Sequence, residues 1–179
     1  MSRTVCIFCA SSNKVDPIFL EAARETGRLL AREGIDLLYG GGCVGLMGQA
    51  ALGAHDEGGR VVGVIPEKLM TREVAYMESD ELVVTKDLYE RKEIMIDRSD
   101  AFLTLPGGFG TLDELMEVVT LRQLNYHQKP LAFLNTKGFY NNLLQFFDDI
   151  CSQHFAPEDH GYWQVLDKVD DLKPWLTSF

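Results

Sequence analysis

Six short runs rich in β-branched and aromatic residues alternate with stretches of helical periodicity, and this alternation is the strongest limit on how the chain can fold. The runs are "TVCIF" (4–8), "IDLLY" (35–39), "RVVGVI" (60–65), "ELVVT" (81–85), "AFLTL" (101–105) and "PLAFL" (130–134). Helices are expected from Pro17, which opens one, to Gly34, which ends it, and over 46–57, 88–98, 111–126 and 140–154. The stretch 67–80 reads as an irregular loop with a short turn. A short strand at 164–169 and a helical piece at 172–176 close the chain. Strands that are apolar on both faces belong in a parallel sheet covered on both sides. Right-handed crossovers then build a doubly wound, mainly parallel α/β domain. No linker, repeat or low-complexity stretch interrupts the 179 residues, so one domain spanning 1–179 is expected.

Ligands of such folds bind outside the carboxyl ends of the strands. Three segments there carry unusual turn chemistry: "CASSN" (9–13), "YGGGCVGLMG" (39–48) and "LPGGFGTLDE" (105–114). The formal net charge of -10 and pI near 4.8 remove the basic footprint that nucleic-acid backbones require. A small anionic ligand stays open, because a nest of backbone N–H groups can override the global sign. No signal-peptide core follows Met1 and no apolar run approaches a membrane span, so a soluble, intracellular, cytoplasmic protein is expected. Cys6 and Cys9 form a CxxC, but an offset of three puts them on opposite faces of a strand, and they read as buried thiols. His55, His127, His154 and His160 show no metal spacing, and no metal is expected. Trp163 and Trp175 read as packing anchors. The stripe of "FYNNLLQFF" (139–147) suits core or a dimer contact.

Gly40, Gly42 and Gly45 satisfy GxGxxG between a strand and a helix. The motif follows the second strand, and no acidic residue closes the third. Dinucleotide binding and mere tight packing therefore both remain open for this loop. No glycine loop ends in Gly-Lys-Ser/Thr, which excludes a P-loop. The second loop is more pointed. Gly107, Gly108 and Gly110 expose backbone N–H groups at a helix start, Pro106 stiffens the strand exit, and Thr111 is expected to cap the helix. A helix N-terminus is a ready anion site.

Asp113, Glu114 and Glu117 are expected in the first turns of that helix. For Asp113, complementarity to the helix dipole is explanation enough. Glu114 and Glu117 are three apart and share one helical face, where a carboxylate pair could position water and stabilise a developing cation. Arg91 and Lys92 lie at the start of the preceding helix, at the same sheet edge. A solvated charged face with Glu90 and Glu93 competes with the alternative, a guanidinium fork placed for an anion.

At these residues the chain resembles the LOG ("Lonely Guy") family of cytokinin riboside 5'-monophosphate phosphoribohydrolases, many of which were first labelled lysine decarboxylases. The family's PGGxGTxxE stands here as Pro106 to Glu114, and its upstream Arg-Lys pair as Arg91-Lys92 with the matching Met95. "FCASS" (8–12), the glycine segment 39–48 and "QLNYHQKPLAFLN" (123–135) also look like family segments. The resemblance implies a Rossmann-like fold and a homodimer with sites near the subunit contact. It implies cofactor-free hydrolysis of the N-glycosidic bond of N6-substituted AMP, giving free base and ribose 5-phosphate. Carried over by position, Arg91 and Glu114 are the catalytic candidates. Lys92 and Gly107, Gly108, Phe109, Gly110 and Thr111 would hold the nucleotide. The resemblance adds Glu73 and Thr120 as further contacts, while Glu117 and, from the other two loops, Ser12, Gly41 and Gly42 are expected to contact the nucleotide as well. The sequence departs from the family at Leu88-Tyr89, where many members have Met-His, and at Arg122, where many plant members have alanine. A broader nucleoside-monophosphate nucleosidase and a non-catalytic nucleotide carrier are the competing readings.

Overall fold

The computed structural model describes residues 2–70, 75–157 and 161–179. All seven strands are parallel and join in one sheet. In chain order they are β1 (Arg3–Phe8), β2 (Ile35–Tyr39), β3 (Val61–Pro66), β4 (Glu81–Thr85), β5 (Ala101–Thr104), β6 (Leu131–Leu134) and β7 (Gln164–Leu166). Their order across the sheet is β4-β3-β2-β1-β5-β6-β7. The chain therefore runs outward from β1 through β2, β3 and β4, then returns to the other side of β1 with β5. Val5 of β1 pairs with Leu37 of β2 on one side and Ala101 of β5 on the other. The sheet switches direction between β1 and β5, where a doubly wound fold opens its ligand crevice.

The helices are α1 (Pro17–Arg32), α2 (Gly45–Asp56), α3 (Glu67–Met70), α4 (Leu88–Asp97), α5 (Phe109–Gln123), α6 (Asn141–Ser152) and α7 (Leu172–Leu176). Their starts follow local chemistry. Asp16 accepts a hydrogen bond from the Ile18 N–H ahead of Pro17, and Asp87 accepts from the Tyr89 and Glu90 N–H groups of α4. Expected and observed boundaries differ by one to three residues at most ends. The stretch 67–80 is more structured than expected: it holds α3 and a bridge from Gly42 to Ala75. Glu73, expected as a ligand contact, lies outside the described residues. His160 does as well.

Period-two alternation sorts each strand's side chains to two cores. Val5, Ile7, Leu37, Tyr39 and Leu103 pack with residues of α1, α2 and α7. Cys6, Phe8, Leu38, Phe102 and Phe133 pack with residues of α4, α5 and α6. Cys6 and Cys9 fall in opposite cores, both buried, as their spacing requires. Trp175 is buried in the first core, and Trp163 lies edge-on to Phe133 at 6.0 Å. Tyr140 and Phe147 of the 139–147 stripe are core, while Phe146 is exposed. Among the described residues no helix is long and apolar enough to cross a membrane.

The α1–α2 contact is a close crossing of small residues. A Cβ on Gly27 would sit 2.0 Å from the Ala50 carbonyl oxygen, and one on Gly53 would sit 2.0 Å from the Arg24 carbonyl oxygen. Backbone obstructs both positions, so a side chain can enter only by parting the helices. Gly27→Val should destabilise the protein by ~1–3 kcal/mol or more through overpacking. Urea unfolding measures this; an unchanged midpoint would show that α1 and α2 separate freely.

Candidate active site

The carboxyl ends of β1 and β5 open into a cleft of about 480 Å³, within the range of small-molecule sites. Its lining comes from the loop after β1 (Cys9 to Ser12), from Met47, Leu69 and Leu88, and from Arg91, Lys92, Gly108 to Thr111, Asp113 and Glu114. The structure thus brings together Ser12, Arg91, Lys92, Gly108, Phe109, Gly110, Thr111 and Glu114 of the expected site. Gly107 lies immediately behind, against Thr111.

The two glycine loops have different uses. The first is closed by the protein itself. Gly45, at φ +66°, leads α2, and a Cβ there would strike the Ser12 nitrogen at 2.3 Å. Its N–H donates to Asn13 Oδ1 at 2.9 Å, and the Met47 N–H donates to the Ala10 carbonyl at 3.2 Å. The start of α2 is therefore satisfied by the 10–13 loop. Gly41 (φ +76°) and Gly42 face the other way: the Tyr76 N–H donates to the Gly41 carbonyl, and Gly42 bridges Ala75. Neither lines the cleft. Gly40 makes a different kind of room, since a Cβ on it would lie 2.4 Å from Arg91 Nη2.

The second loop is open. Gly108 is the N-cap of α5, and no side chain caps the helix among the described residues. The expected cap, Thr111, sits three residues inside and is buried. The N–H groups of the first turn therefore lack the side-chain partner that Asp16 and Asp87 give α1 and α4. No described atom lies within 4 Å of a Cβ placed on Gly108 or Gly110, and neither has a positive φ. The protein's own packing gives no reason for these two glycines. A ligand pressed against the backbone would give one.

Beside that helix start, α4 and α5 exchange two ion pairs. Arg91 Nη2 donates to Glu114 Oε1 at 2.5 Å, with both residues buried. Arg91 Nε is buried with no hydrogen-bond partner among the described residues. One turn outward, Lys92 Nζ reaches Glu117 at 2.6 Å and Asp113 at 3.1 Å. Burial works against the ammonium charge, but the hydrogen bonds to Glu117 and Asp113 outweigh it and hold the Lys92 pKa above its usual value.

Several expectations are corrected here. Asp113 follows the first turn and bonds Lys92, so the helix dipole is not its explanation. Glu117 is not a working pair with Glu114: each binds a different cation, and Glu117 and Thr120 face a shallow, open depression on the outer side of α5. Arg122 lies at the far end of α5, where it donates to the Gln128 and Lys129 carbonyls, remote from the cleft lining. Tyr89 is exposed and lies over the Lys92 ammonium, 5.7 Å from ring centre to Nζ. Sequence reading missed Cys9, Met47, Leu69 and Leu88 as cleft walls. Their shared position at the carboxyl edge was the available signal. Burial pushes the Cys9 thiol well up, with the Glu114 carboxylate adding to the shift, so it stays protonated and is no nucleophile at neutral pH.

Removing one partner of a buried ion pair strands the other charge. Arg91→Met should cost about 3–5 kcal/mol of stability on that basis. Denaturant unfolding tests this, and a loss under about 1 kcal/mol would mean the pair behaves as a solvated one.

A family described as "Possible lysine decarboxylase" matches residues 47–174. The chain is 46% identical over 153 residues to "Probable cytokinin riboside 5'-monophosphate phosphoribohydrolase LOGL2" of Oryza sativa subsp. japonica, covering 86% of this chain and 63% of that protein. It is 45% identical over 157 residues to "Cytokinin riboside 5'-monophosphate phosphoribohydrolase LOG" of the same organism, covering 88% of this chain and 65% of that one. The match thus spans just under two thirds of the length of these relatives. Among solved structures, the molybdenum cofactor binding protein from Rippkaea orientalis superimposes with a TM-score of 0.78 at 23% identity, over 99% of this chain and 97% of that one. That likeness is one of fold, and it agrees with the Rossmann-like sheet described above. The family match over 47–174, together with 46% identity over 177 residues to a further Oryza sativa LOG protein, covering 98% of this chain and 77% of that one, shows that the chain belongs to the LOG family.

Proposed function

We propose that the chain hydrolyses the N-glycosidic bond of N6-substituted AMP, adding water at C1' and releasing the free base and ribose 5-phosphate. The observation that carries this reading is the buried Arg91–Glu114 pair beside an uncapped, glycine-built helix start. The 5'-phosphate rests on the N–H groups of Gly108 to Thr111, where the dipole of α5 favours an anion. Glu114 orients or deprotonates the attacking water and faces the cationic ribose that develops as the bond breaks. Arg91 holds the direction of that carboxylate and adds positive potential as the base leaves. Arg91, Lys92 and Glu114 all line the cleft that would receive the nucleotide. Lysine decarboxylation is not part of this reading. A Schiff-base lysine needs a lowered pKa, and Lys92, the lysine of the cleft, is shifted the other way.

The assembly we infer is a homodimer. Leu88, Tyr89, Phe109, Met116 and Leu124 are exposed along α4 and α5, on or near the surface that carries Glu117 and Thr120. A second subunit covering this face would bring those two residues to the rim of a site. A cytoplasmic setting accords with four unpaired cysteines.

Product analysis with AMP, N6-isopentenyl-AMP and N6-isopentenyladenosine tests the reaction. Free base from the modified nucleotide, with little from the riboside, is expected. Equal cleavage of AMP would favour a broad nucleosidase, and binding without any release of base would favour a carrier. Glu114→Gln should lower turnover of the folded protein by roughly 10²–10⁴, the range for a lost general base, and should also lower the melting temperature, because it leaves the buried Arg91 charge without its counter-ion. Gly108→Ala should leave melting within a degree or two, because the position is open, yet raise KM for the nucleotide about tenfold or more as the methyl group meets the phosphate. An unchanged KM would remove the phosphate from this loop.

A further inference from the structure

The glycine loop has a held stem and an open lip. At the lip, a Cβ placed on Gly108 or Gly110 would enter open space among the described residues. In the stem, the Leu105 N–H donates to the Phe8 carbonyl at 2.9 Å, and the Pro106 carbonyl accepts from the Ala10 N–H at 3.2 Å. Gly107 is pressed against Thr111, whose Oγ1 would lie 2.1 Å from a Cβ placed there. One further hold comes from outside these segments. Tyr140, the residue before α6, is 2% exposed, and its hydroxyl donates to the Leu105 carbonyl at 2.7 Å. One buried hydroxyl therefore holds the Leu105 end of the stem.

Tyr140 is itself placed with care. Its N–H donates to Asn135 Oδ1 at 2.8 Å, while Asn135 Nδ2 donates to Asn141 Oδ1 at 2.8 Å. Its ring stands edge-on to Phe133 and Phe139, at 5.2 and 4.9 Å between centres. The end of β6 thus fixes a side chain that acts on the end of β5. A hydrophobic ring would fill the same space. The hydroxyl adds only its contacts with the stem.

We infer that Tyr140 is a positioning residue for phosphate recognition: its hydroxyl fixes the Leu105–Gly107 stem, so the first-turn N–H groups of α5 converge before the phosphate arrives. Preorganised donors bind without the cost of ordering the loop. The inference rests on the phosphoribohydrolase reading and deepens it. It concerns which group gives the site its preference for a phosphorylated substrate.

The test compares wild type, Tyr140→Phe and Trp175→Phe, the last a buried change in the opposite core that controls for lost stability. Calorimetric titration with ribose 5-phosphate is paired with kcat and KM for N6-isopentenyl-AMP and for N6-isopentenyladenosine. Tyr140→Phe should weaken ribose 5-phosphate binding about tenfold, the scale of one buried hydrogen bond plus some loop ordering. KM for the nucleotide should rise by a similar factor while riboside kinetics hold, so the preference for the phosphate narrows about tenfold. Trp175→Phe should lower the melting temperature and leave that preference intact. Wild-type phosphate preference retained by Tyr140→Phe would overturn the positioning role and leave the reaction standing. An equal narrowing in Trp175→Phe would overturn it too, by making the effect one of general stability. Wild type that neither binds ribose 5-phosphate nor prefers the nucleotide would overturn both the role and the reading beneath it.

Discussion

A sheet made only of parallel strands has no hairpins, so every strand must be returned to the same starting edge by a crossover. The turns that leave the strands therefore gather at the opposite, carboxyl edge. In this protein the order β4-β3-β2-β1-β5-β6-β7 reverses direction between β1 and β5. The loops after those neighbouring strands part there, one toward α1 and the other into α5. The cleft, its glycine turns and the ion pair behind them depend on that reversal. It places residues 9–12 and 108–111, far apart in the chain, on either side of one opening.

Two glycine-rich turns meet at this edge, and their hydrogen bonds separate them. The start of α2 receives Asn13 Oδ1 and the Ala10 carbonyl, and its glycines make room for neighbouring backbone and for Arg91. Among the described residues the start of α5 receives no side-chain cap, and a Cβ placed on either of two of its glycines would enter open space. Backbone donors lacking protein partners, combined with glycines that serve no packing need, describe half of an interaction. In the proposed reading the 5'-phosphate supplies the other half.

The Arg91–Glu114 pair is the opposite case, complete in the protein but costly to bury. Desolvating a guanidinium and a carboxylate is repaid only by close geometry and further hydrogen bonds. Replacing such a pair with apolar residues of equal volume is often neutral or stabilising, so stability alone does not explain keeping it. The surrounding residues accommodate it at some expense: Gly40 gives up a side chain for the guanidinium, and Arg91 Nε stays unpaired among the described residues. Strained and unsatisfied groups of this kind concentrate where chemistry is done. Lys92 with Glu117 and Asp113, one turn outward and nearer water, is the ordinary ion pair that sets off the first by contrast.

Through its family resemblance the sequence drew attention to Arg91, Glu114 and the Gly107-to-Thr111 turn, and by itself it determined the parallel α/β class, the element boundaries to within about three residues and the opposed cysteines. These follow from short-range rules: period two in strands, 3.6 in helices, and the conformations that proline and glycine permit. It could not tell which glycine loop was open, because both carry the same letters and differ only in whether Asn13 and Ala10 fold over them. Nor could it separate Glu114 from Glu117. A spacing of three puts both on one helical face, but only the packing of α4 against α5 assigns Arg91 to one and Lys92 to the other. Thr111 as cap, and Gly41 and Gly42 as cleft residues, were misplaced for the same reason. Where a side chain points and what covers a backbone amide are set by segments distant in the chain. Tertiary structure alone decides those contacts, because the partner that completes each one is not a neighbour in sequence.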